Sequence, residues 1–251
     1  MSPRYLTAPG HVRAVDVGPA TVIVNYRTGQ AETLIGPAAQ WWAELAAGGD
    51  PTATTVLHEV TARTLRGQLL DAGLLVPSPR PEPWAPPPTG PAWEPSWGTQ
   101  ELAAGRPEPV PVPLAVTVLA GMALALVLVV LTAGPRGGRL ARLSWLLARA
   151  ARRTTRPAAV NDARRAVHAV RKAGLLAPGR VACLEESAAV LMLLAVSRQR
   201  VTWCHGVAAD PVRLHAWVET DDNERIAEPP STARFAVLRT IPARYNGGDK
   251  R

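Results

Sequence analysis

The spacing of apolar positions changes several times along the chain. Ala20 to Tyr26 is a β-branched run that reads as a strand. Arg27-Thr28-Gly29 is a tight turn with glycine available for positive φ, and Gln30 to Ile35 returns as the next strand. Gly36-Pro37 ends that strand and opens a helix, because proline suits the first helical turn. Trp41, Trp42 and Leu45 form its apolar stripe and Gly48-Gly49 stops it. Asp50-Pro51 is a second start signal, for a short helix to about Glu59. Thr61 caps a third, with Leu65, Leu69 and Gly73 on one face. Residues 1–76 therefore predict three strands followed by three helices, a small winged-helix-like module.

The pattern then dissolves. Residues 77–113 hold thirteen of the 25 prolines, which predicts an extended, semi-rigid spacer interrupted by Trp84, Trp93 and Trp97. Residues 114–133 carry no charge, and their length suffices for a helix to cross a bilayer. Leu140, Leu143, Leu146 and Leu147 continue as one side of a basic helix that breaks at Arg156-Pro157. Asn161 caps another helix, through Ala173, which Gly174 ends. Beyond Pro178-Gly179, residues Leu184, Ala188, Leu191 and Ala195 recur at helical spacing. Val201 to Ala208 is a strand, Asp210-Pro211 a turn, and Val212 to Thr220 a second strand. In that strand Arg213, His215, Trp217 and Glu219 share one face. The class is α+β, in four segments: 1–76, the 77–113 linker, an apolar and then Arg-rich stretch over 114–160, and 161–251.

Charge narrows the possible partners. The net charge is +8, but residues 136–180 contain twelve Lys and Arg against one acid, Asp162. The basicity is one block with a single aromatic, Trp145, so neither a uniformly basic nor a base-stacking surface for nucleic acid is present. A basic block directly after an apolar run points to a membrane surface. By the positive-inside tendency the arginines lie on the cytoplasmic side. Either 114–133 spans, lies on or re-enters the membrane, or it is a helix covered by protein. Met1 to Gly10 lacks the charged start and apolar core of a signal peptide. Two cysteines 21 positions apart provide no disulfide framework and no metal-ligand spacing, which fits a reducing compartment and predicts neither metal nor organic cofactor.

Those cysteines carry the candidate chemistry. Cys183 falls in the first turn of a predicted helix, where the positive end of the helix dipole stabilises a thiolate and free N–H groups can bind an oxyanion. His215 lies on an aromatic strand face suited to one wall of a cleft. A thiolate and an imidazole are the minimum apparatus for covalent acyl transfer or peptide hydrolysis. With a four-residue loop at 221–224, Thr220 pairs with Arg225, Trp217 pairs with Glu228, and Glu228 orients the imidazole. A one-residue slip points Glu228 away. Asp221 and Asp222 are alternative orienters, although turn placement explains both. Cys204 and His205, adjacent on a strand, point to opposite faces, one into the core and one outward.

The order of Cys on a helix, His on a strand and acid on the next strand resembles the papain-like and transglutaminase-like core. More closely, residues 161–228 resemble the B2 leader peptidase family of lasso peptide biosynthesis, through Cys183-Leu184-Glu185, Gln199-Arg200-Val201 and His215-Ala216-Trp217-Val218-Glu219. The resemblance implies Cys183 as nucleophile, His215 as general base and Glu228 as third member, where that family more usually has Asp. Val22-Ile23-Val24-Asn25-Tyr26-Arg27-Thr28-Gly29, Leu34 to Ala39 and Ala72-Gly73-Leu74-Leu75 resemble the PqqD-like precursor-recognition element, the B1 protein of the same pathway. That likeness implies a leader peptide added as a strand beside Gln30–Ile35 and packed on the helix over 62–74, with Glu32, Leu34, Leu65, Arg66 and Leu69 as contacts. It further implies a precursor peptide as substrate and a separate ATP-consuming cyclase as partner. Two rival readings use the same features: an acyltransferase that passes the acyl group to an amine, and a non-catalytic membrane-associated scaffold that presents the precursor.

Overall fold

The structure is a computed structural model that describes residues 5–54, 56–91, 110–209 and 212–243. It divides into two compact units, Met1–Pro95 with Ala209–Pro211, and the remainder. Each is considered by itself.

The first unit contains β1 (Tyr5–Thr7), β2 (Val12–Asp16), β3 (Ala20–Asn25), β4 (Ala31–Ile35), α1 (Pro37–Gly48), α2 (Glu59–Asp71) and β5 (Val76–Ser78). β2, β3 and β4 form an antiparallel sheet in that order, and β1 pairs with β5. Leu6, Ile23, Trp41, Trp42, Leu45 and Leu74 are its fully buried centre. Among the described residues the unit has two helices where three were expected. The Asp50 carboxylate accepts from the Thr52 amide at 2.9 Å and hydroxyl at 2.7 Å, so the start signal closes a turn and propagates no helix. Thr61 lies inside α2, which begins at Glu59 with His58 as its cap residue.

Part of the expected spacer belongs to this unit. The Trp84 amide donates to the Ala46 carbonyl at 2.9 Å, and its ring meets Trp42 edge-on at 5.7 Å. Asp16 bonds Pro88 and Gly90 through its backbone. Gly49 permits this path: its φ is 69°, and a Cβ there would lie 2.8 Å from the Glu82 nitrogen. Trp93 and Trp97 lie outside the described residues.

The second unit contains α3 (Leu114–Thr132), α4 (Arg139–Ala151), β6 (Arg156–Pro157), α5 (Val160–Gly174), α6 (Cys183–Val196), β7 (Gln199–Arg200), β8 (Thr202–Ala208), β9 (Arg213–Glu219) and β10 (Ala236–Ile241). β8 is the centre of an antiparallel sheet in the order β10-β8-β9, and β6 pairs in parallel with β7. α6 lies against β8 and β9, and α3 packs on α4, α5 and α6. The buried side of α5 is mostly small (Ala163, Ala166, Ala169 and Ala173), which brings the neighbouring backbones close. Asn161 falls one residue inside α5, whose cap position is Ala159. Because β8 is covered throughout, Cys204 and His205 are both buried, contrary to the expectation that one faces outward. His205 stacks on Trp203 at 5.8 Å. The turn expected at Asp210-Pro211 lies outside the described residues.

Candidate active site

Cys183 is the first residue of α6. Its placement is set by short-range bonds. The Glu185 carboxylate accepts from the Ala182 amide at 3.1 Å, as in one half of a capping box. Ser187 donates to the Cys183 carbonyl at 2.7 Å and accepts from Trp203 Nε1 at 2.9 Å, tying the start of the helix to the central strand.

His215 lies on β9 opposite Gly206. That position must be glycine, since a Cβ would sit 2.6 Å from the Ala236 carbonyl oxygen and 2.9 Å from the Trp217 ring. The imidazole stacks beside Trp217 at 5.8 Å and tilts against Phe235 at 5.2 Å. Trp217 Nε1 in turn donates to Glu219 at 2.7 Å, so the expected shared face of His215, Trp217 and Glu219 is present.

Glu228 reaches the site by a route that alternation did not reveal. The bridge is Glu219 to Arg225, and the Ile226 amide donates to the Val218 carbonyl, one residue out of the expected register. Continued regularly, this ladder would place Glu228 opposite Ala216 and away from His215. Ala227 instead adopts φ 54°, and the chain turns out of the ladder. His215 Nε2 and Glu228 Oε2 are then 2.7 Å apart. Asp221 is engaged elsewhere, in a bidentate pair with Arg200.

Arg171 of α5 holds this arrangement. It donates to the Ala227 carbonyl at 3.1 Å and to Glu186 at 2.6 Å, and lies 3.6 Å from Glu228. Thr232 also donates to Glu228, at 3.1 Å. Sequence reasoning missed Arg171, Glu186, Thr232 and Phe235. Two signals were available: Arg171 falls four residues after the buried Val167, where apolar spacing calls for a core residue, and Glu186 lies one turn from Cys183.

The electrostatics favour a charged imidazole. Burial lowers the His215 pKa, but hydrogen bonds to Cys183 and Glu228, with their charges, outweigh it and push the value to about 9. Glu228 occupies Nε2, and Cys183 lines the same cleft as the imidazole. Glu186 is shifted above the usual carboxylate range, chiefly by burial, with Arg171 opposing. His205 is lowered to about 4 by burial, then by the charges of His215 and Arg239. A cleft of about 340 Å³ opens over the group, with Cys183, His215, Glu228, Arg171 and Glu186 in its wall and Arg213 among its lining residues. The arrangement is suited to thiolate attack on a carbonyl with proton delivery by the neighbouring imidazolium. Among the described residues no cluster of His, Cys, Asp and Glu is disposed to bind a metal ion.

The proposed leader contacts divide into two groups. Glu32 is exposed on β4, an edge strand, and Leu65 and Arg66 are half-buried on α2. Leu34 and Leu69 are core residues, 8% and 3% exposed, and so do not offer side chains to a peptide. Leu34 is the one buried residue of β4, and it and Leu69 belong to the core cluster that contains Trp41 and Trp42.

The fold and the Cys183–His215–Glu228 geometry thus define a mixed α/β protein with a site suited to cysteine-based catalysis. Residues 125–240 match the family model described as transglutaminase-like superfamily, so the chain carries a transglutaminase-like domain over that span. No curated protein and no solved structure matches the chain.

Proposed function

We propose that this protein is a fused precursor-binding and leader-cleaving cysteine peptidase of the lasso peptide type. The observation that carries the reading is the convergence of Cys183, His215 and Glu228 on one cleft wall, with His215 Nε2 and Glu228 Oε2 2.7 Å apart. The Cys183 thiolate attacks the carbonyl carbon at the leader–core junction. The C–N bond breaks as His215 transfers its proton to the departing amine, leaving the leader as a thioester. Water then attacks the thioester and gives a proton to His215, and the C–S bond breaks to release the Cys183 thiolate and restore the imidazolium. Glu228 keeps the imidazole oriented and stabilises its charge. The first unit acts as a PqqD-like element: the leader adds as a strand along β4, with Glu32, Leu65 and Arg66 alongside. Joining binder and peptidase in one chain raises the effective concentration of the scissile bond. The freed amine goes to a separate, ATP-dependent cyclase, on the cytoplasmic side.

The test is mass spectrometry of a lasso precursor peptide incubated with the protein and with Cys183→Ala, with and without a primary amine. Cleavage at one bond by the wild type alone supports the reading. A product joined to the amine in preference to hydrolysis replaces it with acyl transfer. Equal leader binding with no cleavage by either protein replaces it with a scaffold.

A further inference from the structure

Helix α3 is apolar all round, yet only one side of it is covered. Thr117, Ala120, Leu124 and Val127 are buried against the unit. Leu114, Val118, Leu119, Met122, Leu126 and Val129 are 42–75% exposed along the opposite side. A helix that is hydrophobic on every face normally has both sides covered, and an exposed strip of this length marks an interaction surface. The strip continues past both ends of the helix. Leu176, 85% exposed, borders a hollow of about 330 Å³ with Leu114 and Val118. Trp145, 64% exposed, borders another of about 410 Å³ with Val130.

By length and composition α3 is able to cross a membrane. Its packing argues against that orientation. The covered side lies on α5 and α6, and Gly121 approaches Ala173 of α5. A spanning α3 would carry α5 with it, and with α5 the charges of Asp162, Arg164, Arg165, Arg171 and Lys172. Hydrocarbon does not accommodate such a group.

Charge identifies the occupant. No Asp or Glu occurs from Val110 to Asn161. Arg136, Arg139, Arg149, Arg152, Arg153 and Arg156 are all exposed, and the Arg149 guanidinium lies 5.9 Å over the Trp145 ring. An apolar strip, an amphipathic aromatic at its end and a set of arginines without acids is the composition of a helix lying in a membrane interface. We propose that α3 docks in the plane of an anionic bilayer, monotopically, with its exposed side in the acyl boundary and the α4 arginines at the headgroups. This inference is independent of the cleft chemistry.

The experiment is vesicle flotation of the full chain with phosphatidylcholine alone and with 3:1 phosphatidylcholine:phosphatidylglycerol, at low and high salt, together with alkaline carbonate extraction of membranes from expressing cells. The expected result is flotation with the anionic vesicles, weakened by salt, and release by carbonate. Met122→Glu/Leu126→Glu, at exposed positions, lowers the floated fraction at least tenfold with an unchanged melting temperature. Arg149→Glu/Arg153→Glu removes the preference for anionic lipid while leaving the helix face intact. Retention through carbonate overturns the proposal in favour of a span. Flotation unaffected by both variants also overturns it. Absence of flotation, with a dimer in light scattering that Met122→Glu/Leu126→Glu dissociates, assigns the face to a second copy.

Discussion

Replacing Glu228 with Gln removes one charge from the site and preserves its shape. The Glu228 side chain is 8% exposed and that of His215 is 23% exposed, so solvent screens their interaction only in part. Raising His215 from 6.5 to about 9 corresponds to roughly 3 kcal/mol in favour of the imidazolium in the folded protein. Burial acts in the opposite direction, so the partners supply more than that net amount. Cys183 remains in the variant, and the shift is therefore reduced and not abolished. A fall of at least one pH unit, ~1.4 kcal/mol, is expected. Because the folded value is raised, the stabilisation from this group is fully present below about 6.5 and is lost as pH rises through about 9. Urea unfolding should show Glu228→Gln less stable at low pH within this window, with the two proteins converging above it. An NMR titration of His215, one of five histidines, reports the site directly. An unchanged His215 midpoint, or a stability difference independent of pH, refutes the assignment of Glu228 as the group that charges and orients the imidazole.

Other outcomes follow from the same geometry. Cys183→Ala abolishes cleavage and leaves leader affinity unchanged, as measured by fluorescence anisotropy of a labelled leader. Arg171→Met removes two hydrogen bonds and the ion pair with Glu228 and leaves Glu186 and Glu228 facing each other; it lowers kcat by about 10²-fold with little change in KM and costs about 2 kcal/mol of stability, and Arg171→Lys recovers only part of both because it cannot reproduce the planar fork. Gly206→Ala drives a methyl into the Ala236 carbonyl and the Trp217 ring and destabilises by about 2 kcal/mol or more in thermal unfolding. Leu34→Ala costs about 2–4 kcal/mol as a core truncation, whereas Glu32→Lys leaves the melting temperature unchanged and alters leader affinity.

What the sequence determined by itself was local. The β3 and β4 runs, α1 with its paired tryptophans, the apolar helix, and the placement of Cys183 at a helix start and His215 on an alternating strand follow from period, caps and turns, which act over a few residues. Other outcomes depended on contacts between distant segments. Asp50 closed a turn where a helix start was equally compatible with its neighbours, and the proline strap from 79 to 90 lay down on α1 because Gly49 leaves room for it. Leu34 and Leu69 were matched correctly to their elements but face the core, because the side an element buries is set by what packs on it. The encounter of Glu228 with His215 was expected from strand pairing and occurs by another cause. The register is one residue off, and the left-handed backbone at Ala227, held by Arg171 from a helix 56 residues earlier, corrects it. Periodicity reports which side of its own element a residue occupies; only the tertiary structure brings one element's Arg to another's bend and leaves one side of α3 bare.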